Sequence, residues 1–236
     1  MQDETQQVNG MKLIIFGSTG GTGRQLVAQA LEKGYDVTAF ARSPEKLDQK
    51  HQDLKVVKGN VLDFSSVERA IQGQDAVLCS LGMSNIRDKS QLRANAKKNI
   101  ICAMQKTTVK RFICQSALGA GDSYEALPFH YKYLIAPLFM RHLYADHNMQ
   151  ENYIKKSQLD WTIVRPAILT NGKQTGSYWH GIAAANKSIT LKIKISRADV
   201  ADFMLKQLAD DTYLHKTSIV SYYEKNKHIY SERNVS

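Results

Sequence analysis

A chain of 236 residues exceeds the common domain size but fits one large α/β sheet, so a single domain with little room for a second is expected. Its 43% hydrophobic and 23% charged residues exclude a disordered, collagenous or disulfide-scaffold chain. The 32 basic against 22 acidic side chains leave a net charge of +10, a field compatible with nucleic acid, an anionic membrane surface or a phosphorylated ligand and selective for none.

Residues 1–10, MQDETQQVNG, are polar and lack the basic and apolar regions of a secretory signal, which predicts a flexible leader. From Met11 the pattern becomes regular. MKLIIF reads as a strand, and GRQLVAQALEKG as a helix ending at Gly34. DVTAFA is the second strand, followed by a helix opened by Ser43 as N-cap and Pro44 at the first helical position. LKVVKG, a helix from Ser65 to Ile71, and DAVLCSLG continue the alternation. A long helix from Lys89 to Gln105 leads into VKRFICQS. Strands without polar alternation, separated by helices, predict a Rossmann-type, doubly wound and mainly parallel sheet. Residues 117–146 form a long aromatic-rich excursion on the substrate side, before a helix at Asn148 to Lys156 and the strand WTIVRP. A strand near Ile189 to Ile193, a helix from Ser196 with Asp199 in its first turn, and a strand at Thr217 to Val220 close the domain, 11–221. The remainder, 222–236, is expected to be a flexible tail.

Cys79, Cys102 and Cys114 sit among apolar neighbours and read as small core residues of a reducing compartment. The most apolar window, Tyr133 to Leu143, is broken by Pro137 and Arg141 and is too short to span a bilayer. A soluble cytoplasmic protein without membrane insertion is therefore expected.

GSTGGTG, comprising Gly17, Ser18, Thr19, Gly20, Gly21, Thr22 and Gly23, lies between the first strand and the first helix. Gly17 permits the tight turn, Gly20 the approach of a pyrophosphate, and Gly23 close packing of helix on strand, while the helix N-terminus offers N–H groups to phosphate oxygens. This predicts a dinucleotide. An NAD site would place a carboxylate at the end of the second strand, but this chain has Phe40, Ala41, Arg42 and Ser43 there. Arg42, helped by Ser43 and Lys46, suits a 2′-phosphate, so NADP(H) is the expected cofactor. Asn60 and Val61 after the third strand, and Leu81, Gly82 and Met83 after the fourth, fall where loops border the nucleotide.

GSTGGTG, AFARSPEKL, GNVLD, SLG, CQSALG and SQLDWTIVRP together resemble the NmrA-like, atypical short-chain dehydrogenase/reductase family, most of all its biliverdin-IXβ reductase/flavin reductase branch, from Met11 to Val220. The resemblance implies a Rossmann-type sheet, NADPH, a usually monomeric enzyme, and hydride transfer to a flavin, a linear tetrapyrrole or another small planar acceptor. It also implies a serine facing the nicotinamide, here Ser116, and cofactor contact at Pro166. The Tyr-x-x-x-Lys pair of the wider superfamily occurs only at Tyr223 and Lys227, in the tail, and reads as chance. Ala167 stands where the flavin reductase branch carries a histidine, and GNV replaces the usual GDV.

A Ser116 hydroxyl can bond the carboxamide, the substrate or a proton-relaying water. Phe129, His130, Tyr131, Tyr133, Phe139 and His142 could line an acceptor pocket or pack a helix on the sheet. His147 lies near where relatives place the superfamily lysine and is a candidate proton donor. The seven histidines form no metal motif. The rival function is an NmrA-like NADP(H) sensor that binds a protein partner and turns nothing over; a nucleotide-sugar epimerase or dehydratase is disfavoured by the missing tyrosine. Lys89, Arg93 and Lys97 recur at helical spacing and read as a solvated basic face, open to steering anionic substrates or docking an acidic partner. No nucleic-acid motif accompanies the charge.

Overall fold

The computed structural model describes residues 10–82, 92–182 and 193–223. Met83, Lys89, Lys227, residues 1–9 of the leader, residues 224–236 of the tail, and most of the strand expected near Ile189 lie outside the described residues.

The expected alternation forms a Rossmann-type fold. Strands β1 (Lys12–Phe16), β2 (Asp36–Ala41), β3 (Leu54–Lys58), β4 (Ala76–Cys79), β5 (Arg111–Gln115), β6 (Asp160–Pro166) and β10 (Lys216–Ser221) run parallel, and β8 (Trp179–Gly181) closes the edge antiparallel. The order is β3-β2-β1-β4-β5-β6-β10-β8, so the chain winds outward in both directions from the β1/β4 junction. That reversal opens a crevice at the carboxyl ends of the strands, where open α/β sheets bind ligands. A small pair, β7 (Ile168–Thr170) and β9 (Lys194–Ser196), lies beside the main sheet.

Helices cover both faces. Helix α1 (Gly21–Glu32) packs on α5 (Arg197–Lys206), while α2 (Phe64–Ile71), α3 (Leu92–Lys106) and α4 (Arg141–Lys155) pack side by side. Each face has its own apolar cluster, one containing Leu13, Ile15 and Phe203 and the other Ile14, Phe16 and Phe112. Consecutive β1 residues thus point to opposite layers, which explains the unbroken apolar run MKLIIF.

Helix boundaries follow the expected signals in part. Past the end of α1, the Gly34 N–H bonds to the Leu31 carbonyl at 3.0 Å. At α5 the Ser196 hydroxyl caps the Asp199 N–H at 3.0 Å. The helix expected after Ser43 is only a single 3₁₀ turn, Pro44–Lys46, because the polar sequence beyond it has no apolar face to dock. The helix expected from Asn148 begins instead at Arg141, continuing a π-helical segment, Tyr131–Met140, inside the predicted excursion.

The solvated reading of the α3 stripe fails at Lys97, which is fully buried because α3 is enclosed by α2 and α4. Cys79 and Cys114 are buried register partners on β4 and β5, and all three cysteines are free thiols. Among the described residues no helix is long and apolar enough to cross a membrane.

Candidate cofactor and active site

A cleft of about 560 Å³ crosses the carboxyl ends of β1 to β6. Gly17, Thr19, Gly20, Gly21 and Thr22 form one wall, and Arg42, Ser43, Val61, Leu81, Gly82, Ser116 and Pro166 join it along the strand ends. Ser18, Gly23 and Asn60 do not line it. The Ser18 hydroxyl is buried and donates to the Phe40 carbonyl at 3.1 Å, tying the turn to β2. The Asn60 Oδ1 accepts from the Leu62 N–H at 3.1 Å, shaping the loop after β3.

The glycine turn is shaped for an anion. Gly17 has φ +84°, and a Cβ there would lie 2.8 Å from the Ser80 carbonyl, so the turn and the β4 loop touch through backbone alone. The Gly20 N–H closes the turn onto the Gly17 carbonyl at 2.9 Å. A Cβ on Gly23 would collide with that same carbonyl, whereas one on Gly20 would meet only the Gly17 oxygen, at 3.2 Å, and otherwise point into open space. Helix α1 has no side-chain cap and no acidic residue in its first turn, which leaves its N-terminus to a ligand's negative charge. Together with Arg42 and the absence of a carboxylate at the end of β2, these residues fit a phosphorylated dinucleotide. Gly23→Ala is expected to cost about 1–3 kcal/mol in urea unfolding. Gly20→Ala should cost less than about 1 kcal/mol and act on nucleotide binding, a contrast that titration of both variants with NADPH checks.

Arg197 was not anticipated. Its side chain lies across the start of α1, with Cδ 2.5 Å from where a Gly21 Cβ would sit, and it lines the cleft. Its guanidinium is steadied by the Asn171 Oδ1 at 2.6 Å. No local pattern marks it, because the contact joins residues far apart in sequence.

At the other end of the cleft, Ser116 and His147 face each other, with Oγ to Nδ1 at 3.2 Å. The Ser116 Oγ also lies 2.7 Å from Glu151 Oε1. His147 and Glu151 are one turn apart on α4, so one helix face presents both. Glu151 is buried and held by two Arg165 bonds, Nε to Oε1 at 2.9 Å and Nη2 to Oε2 at 2.6 Å. Arg165 is itself fully buried, and its Nη1 reaches Asp122 Oδ1 at 2.5 Å. Burial alone would raise the Glu151 carboxyl, but the Arg165 bonds and charge outweigh it and hold the group below its ordinary value. A carboxylate takes the single Ser116 proton, so His147 Nδ1 must be the donor to Oγ.

The aromatic excursion contributes less than expected. Phe129, His130, Tyr131, Tyr133, Phe139 and His142 do not line the cleft; from this stretch and the start of α4, Leu143 and His147 do. Phe129, Tyr133 and Phe139 instead face outward, because Ala136 and Tyr131 occupy the inward side.

A doubly wound sheet with a glycine turn and a cleft at its switch point defines a nucleotide-binding protein of the dehydrogenase type. The NAD(P)H-binding family profile matches residues 17–211, and the chain belongs to that family. An uncharacterized chloroplastic protein of Arabidopsis thaliana is 28% identical over 94% of this chain and 80% of its own length. Photosystem II assembly factor Ycf39 of Synechocystis is 28% identical over 88% of this chain, which spans 61% of that relative's length. Among solved structures, a short-chain dehydrogenase/reductase of Veillonella parvula in complex with NADP aligns with TM-score 0.73 at 21% identity, covering 92% of this chain and 96% of its own. ChuY, an anaerobillin reductase of Escherichia coli O157:H7, aligns with TM-score 0.69 at 24% identity, covering 89% and 96%. These two structures share the fold.

Proposed function

We propose that this protein is an NADPH-dependent reductase that passes hydride to a small planar conjugated acceptor, a flavin, a linear tetrapyrrole or a quinone. The observation that carries the reading is one continuous cleft with the glycine turn and Arg42 at one end and the Ser116/His147 pair at the other. A neighbour of the same fold is an anaerobillin reductase, which supports a reductase reading.

Gly17, Gly20, Gly21 and Arg197 would receive the pyrophosphate, Arg42 with Ser43 and Lys46 the 2′-phosphate, and Leu81, Gly82 and Pro166 the nicotinamide end. When bound, the nicotinamide supplies the hydride. The protein's work is then positioning, exclusion of water and delivery of a proton. In this reading His147 is the proton donor as the imidazolium: it gives up its Nε2 proton while Nδ1–H stays on the Ser116 Oγ, and regains the proton from solvent. Ser116 and Glu151 fix its ring through Nδ1, and Arg165 keeps Glu151 anionic, so the serine proton stays committed to the carboxylate.

Mixing the protein with NADPH and FMN, riboflavin, biliverdin or a quinone, and following the nicotinamide absorbance band, tests the reading. Oxidation above the protein-free blank with at least one acceptor is expected. Tight NADPH binding without oxidation of any kind would favour the cofactor sensor. His147→Ala is expected to lower kcat by about 10²-fold, the lower end for general acid catalysis, and Ser116→Ala by about tenfold or less, since the serine orients rather than donates. A loss near 10⁴-fold for Ser116→Ala would give the serine the donor role instead.

A further inference from the structure

The π-helical segment Tyr131–Met140 is apolar on both sides. Tyr131, Ala136 and Met140 turn toward the core. Phe129, Tyr133, Leu134, Leu138 and Phe139 point outward and are 57 to 77% exposed. Closure of the backbone from i to i+5 returns a side chain to the same face about every four to five positions, so 129, 133/134 and 138/139 make one continuous stripe. A helix that is apolar all round belongs either inside a core or against a membrane, and the core here takes only the inward side. A patch of this kind on a folded protein marks an interaction surface.

Charge identifies the occupant. No Asp or Glu occurs from residue 126 to residue 145, a stretch that carries Lys132, Arg141 and two histidines, in a chain of net charge +10. Lys132 pairs with Glu125 just outside the stretch, while Arg141 is exposed. Two copies meeting through this face would bring like charges together, which disfavours self-association. An anionic bilayer offers apolar chains to the stripe and negative headgroups to the cations, and aromatic, leucine-rich faces flanked by Lys or Arg lie in that interface.

We propose that the outward face of this segment is a docking surface for an anionic lipid bilayer, on which the protein lies peripherally without crossing it. The segment runs directly into α4, whose Leu143 and His147 line the cleft, so docking sets the active-site mouth near the lipid surface. The proposal is independent of the hydride-transfer reading, because it rests on an exposed face and its charge alone.

Co-sedimentation of the full chain with vesicles tests it, using phosphatidylcholine alone and phosphatidylcholine mixed with phosphatidylglycerol. Binding about tenfold tighter to the anionic vesicles is expected, weakening with added salt. The double variant L138S/F139S should lose at least tenfold in vesicle binding with an unchanged thermal midpoint, since both side chains are exposed. A second variant, F129S/Y133S, should behave likewise. Equal recovery with neutral and anionic vesicles, or no loss in either variant, overturns the proposal. So does absence of vesicle binding together with a concentration-dependent dimer that the same substitutions dissociate.

Discussion

Arg165→Met is expected to destabilise the protein by about 3–5 kcal/mol, the cost of leaving a buried carboxylate without its partner, and to lower Tm by about 10 °C for a chain of this size. The buried guanidinium bonds both oxygens of Glu151 and reaches Asp122, so its loss removes three bonds from two carboxylates at once. The paired variant Glu151→Leu/Arg165→Met removes both charges and should recover most of the stability. It should not recover activity, because Ser116 loses the carboxylate that takes its proton. The pH dependence carries its own sign. Burial opposes ionisation of Glu151, Arg165 outweighs it, and the folded-state pKa is below the unfolded one. The stabilisation is therefore present above the ordinary glutamate value, about 4.3, and is lost as pH falls through the folded value. In Arg165→Met only Ser116 and Lys155 still oppose burial, so the downward shift shrinks and the loss of stability on acidification becomes shallower. Urea titrations across the acid range distinguish the two slopes.

Arg42→Asp is expected to abolish preference for NADPH. Hydrogen bonds to a charged group contribute about 1.5–3 kcal/mol, so Arg42→Ala should weaken NADPH binding by about 10- to 100-fold and leave NADH nearly untouched. The aspartate adds repulsion of the 2′-phosphate and supplies the carboxylate that a ribose hydroxyl prefers. The ratio of the two cofactors' Kd values should then shift by more than about 10³-fold. Arg42 is exposed at the end of β2, so neither substitution should move Tm. Equal affinity of the parent protein for both cofactors would remove Arg42 from the site.

Much of this was legible locally. The glycine spacing, the apolar strands and the Ser196 cap are short-range signals whose physics involves only neighbouring residues. The missing carboxylate after β2 was equally readable. The rest depends on contacts that no local pattern encodes. Arg197 reaches the glycine turn only because α5 packs on α1. Glu151 meets Ser116 and Arg165 only once α4 lies over the ends of β5 and β6. Lys97 has the spacing of a solvent-facing stripe and is nevertheless enclosed between neighbouring helices. The excursion differs in the opposite way, since its aromatics look like a pocket lining, yet Phe129, Tyr133 and Phe139 face outward and none of the aromatics named from it lines the cleft.

The central claim is that the cleft joins a nicotinamide to a planar acceptor for direct hydride transfer. A single-turnover experiment with protein in excess of NADPH, repeated with NADPH deuterated at C4 and run against FMN, biliverdin and a quinone, tests this most directly. The account predicts loss of the nicotinamide band above the protein-free rate with at least one acceptor, slower for the deuterated cofactor. Bound NADPH that persists unoxidised with every acceptor would contradict it.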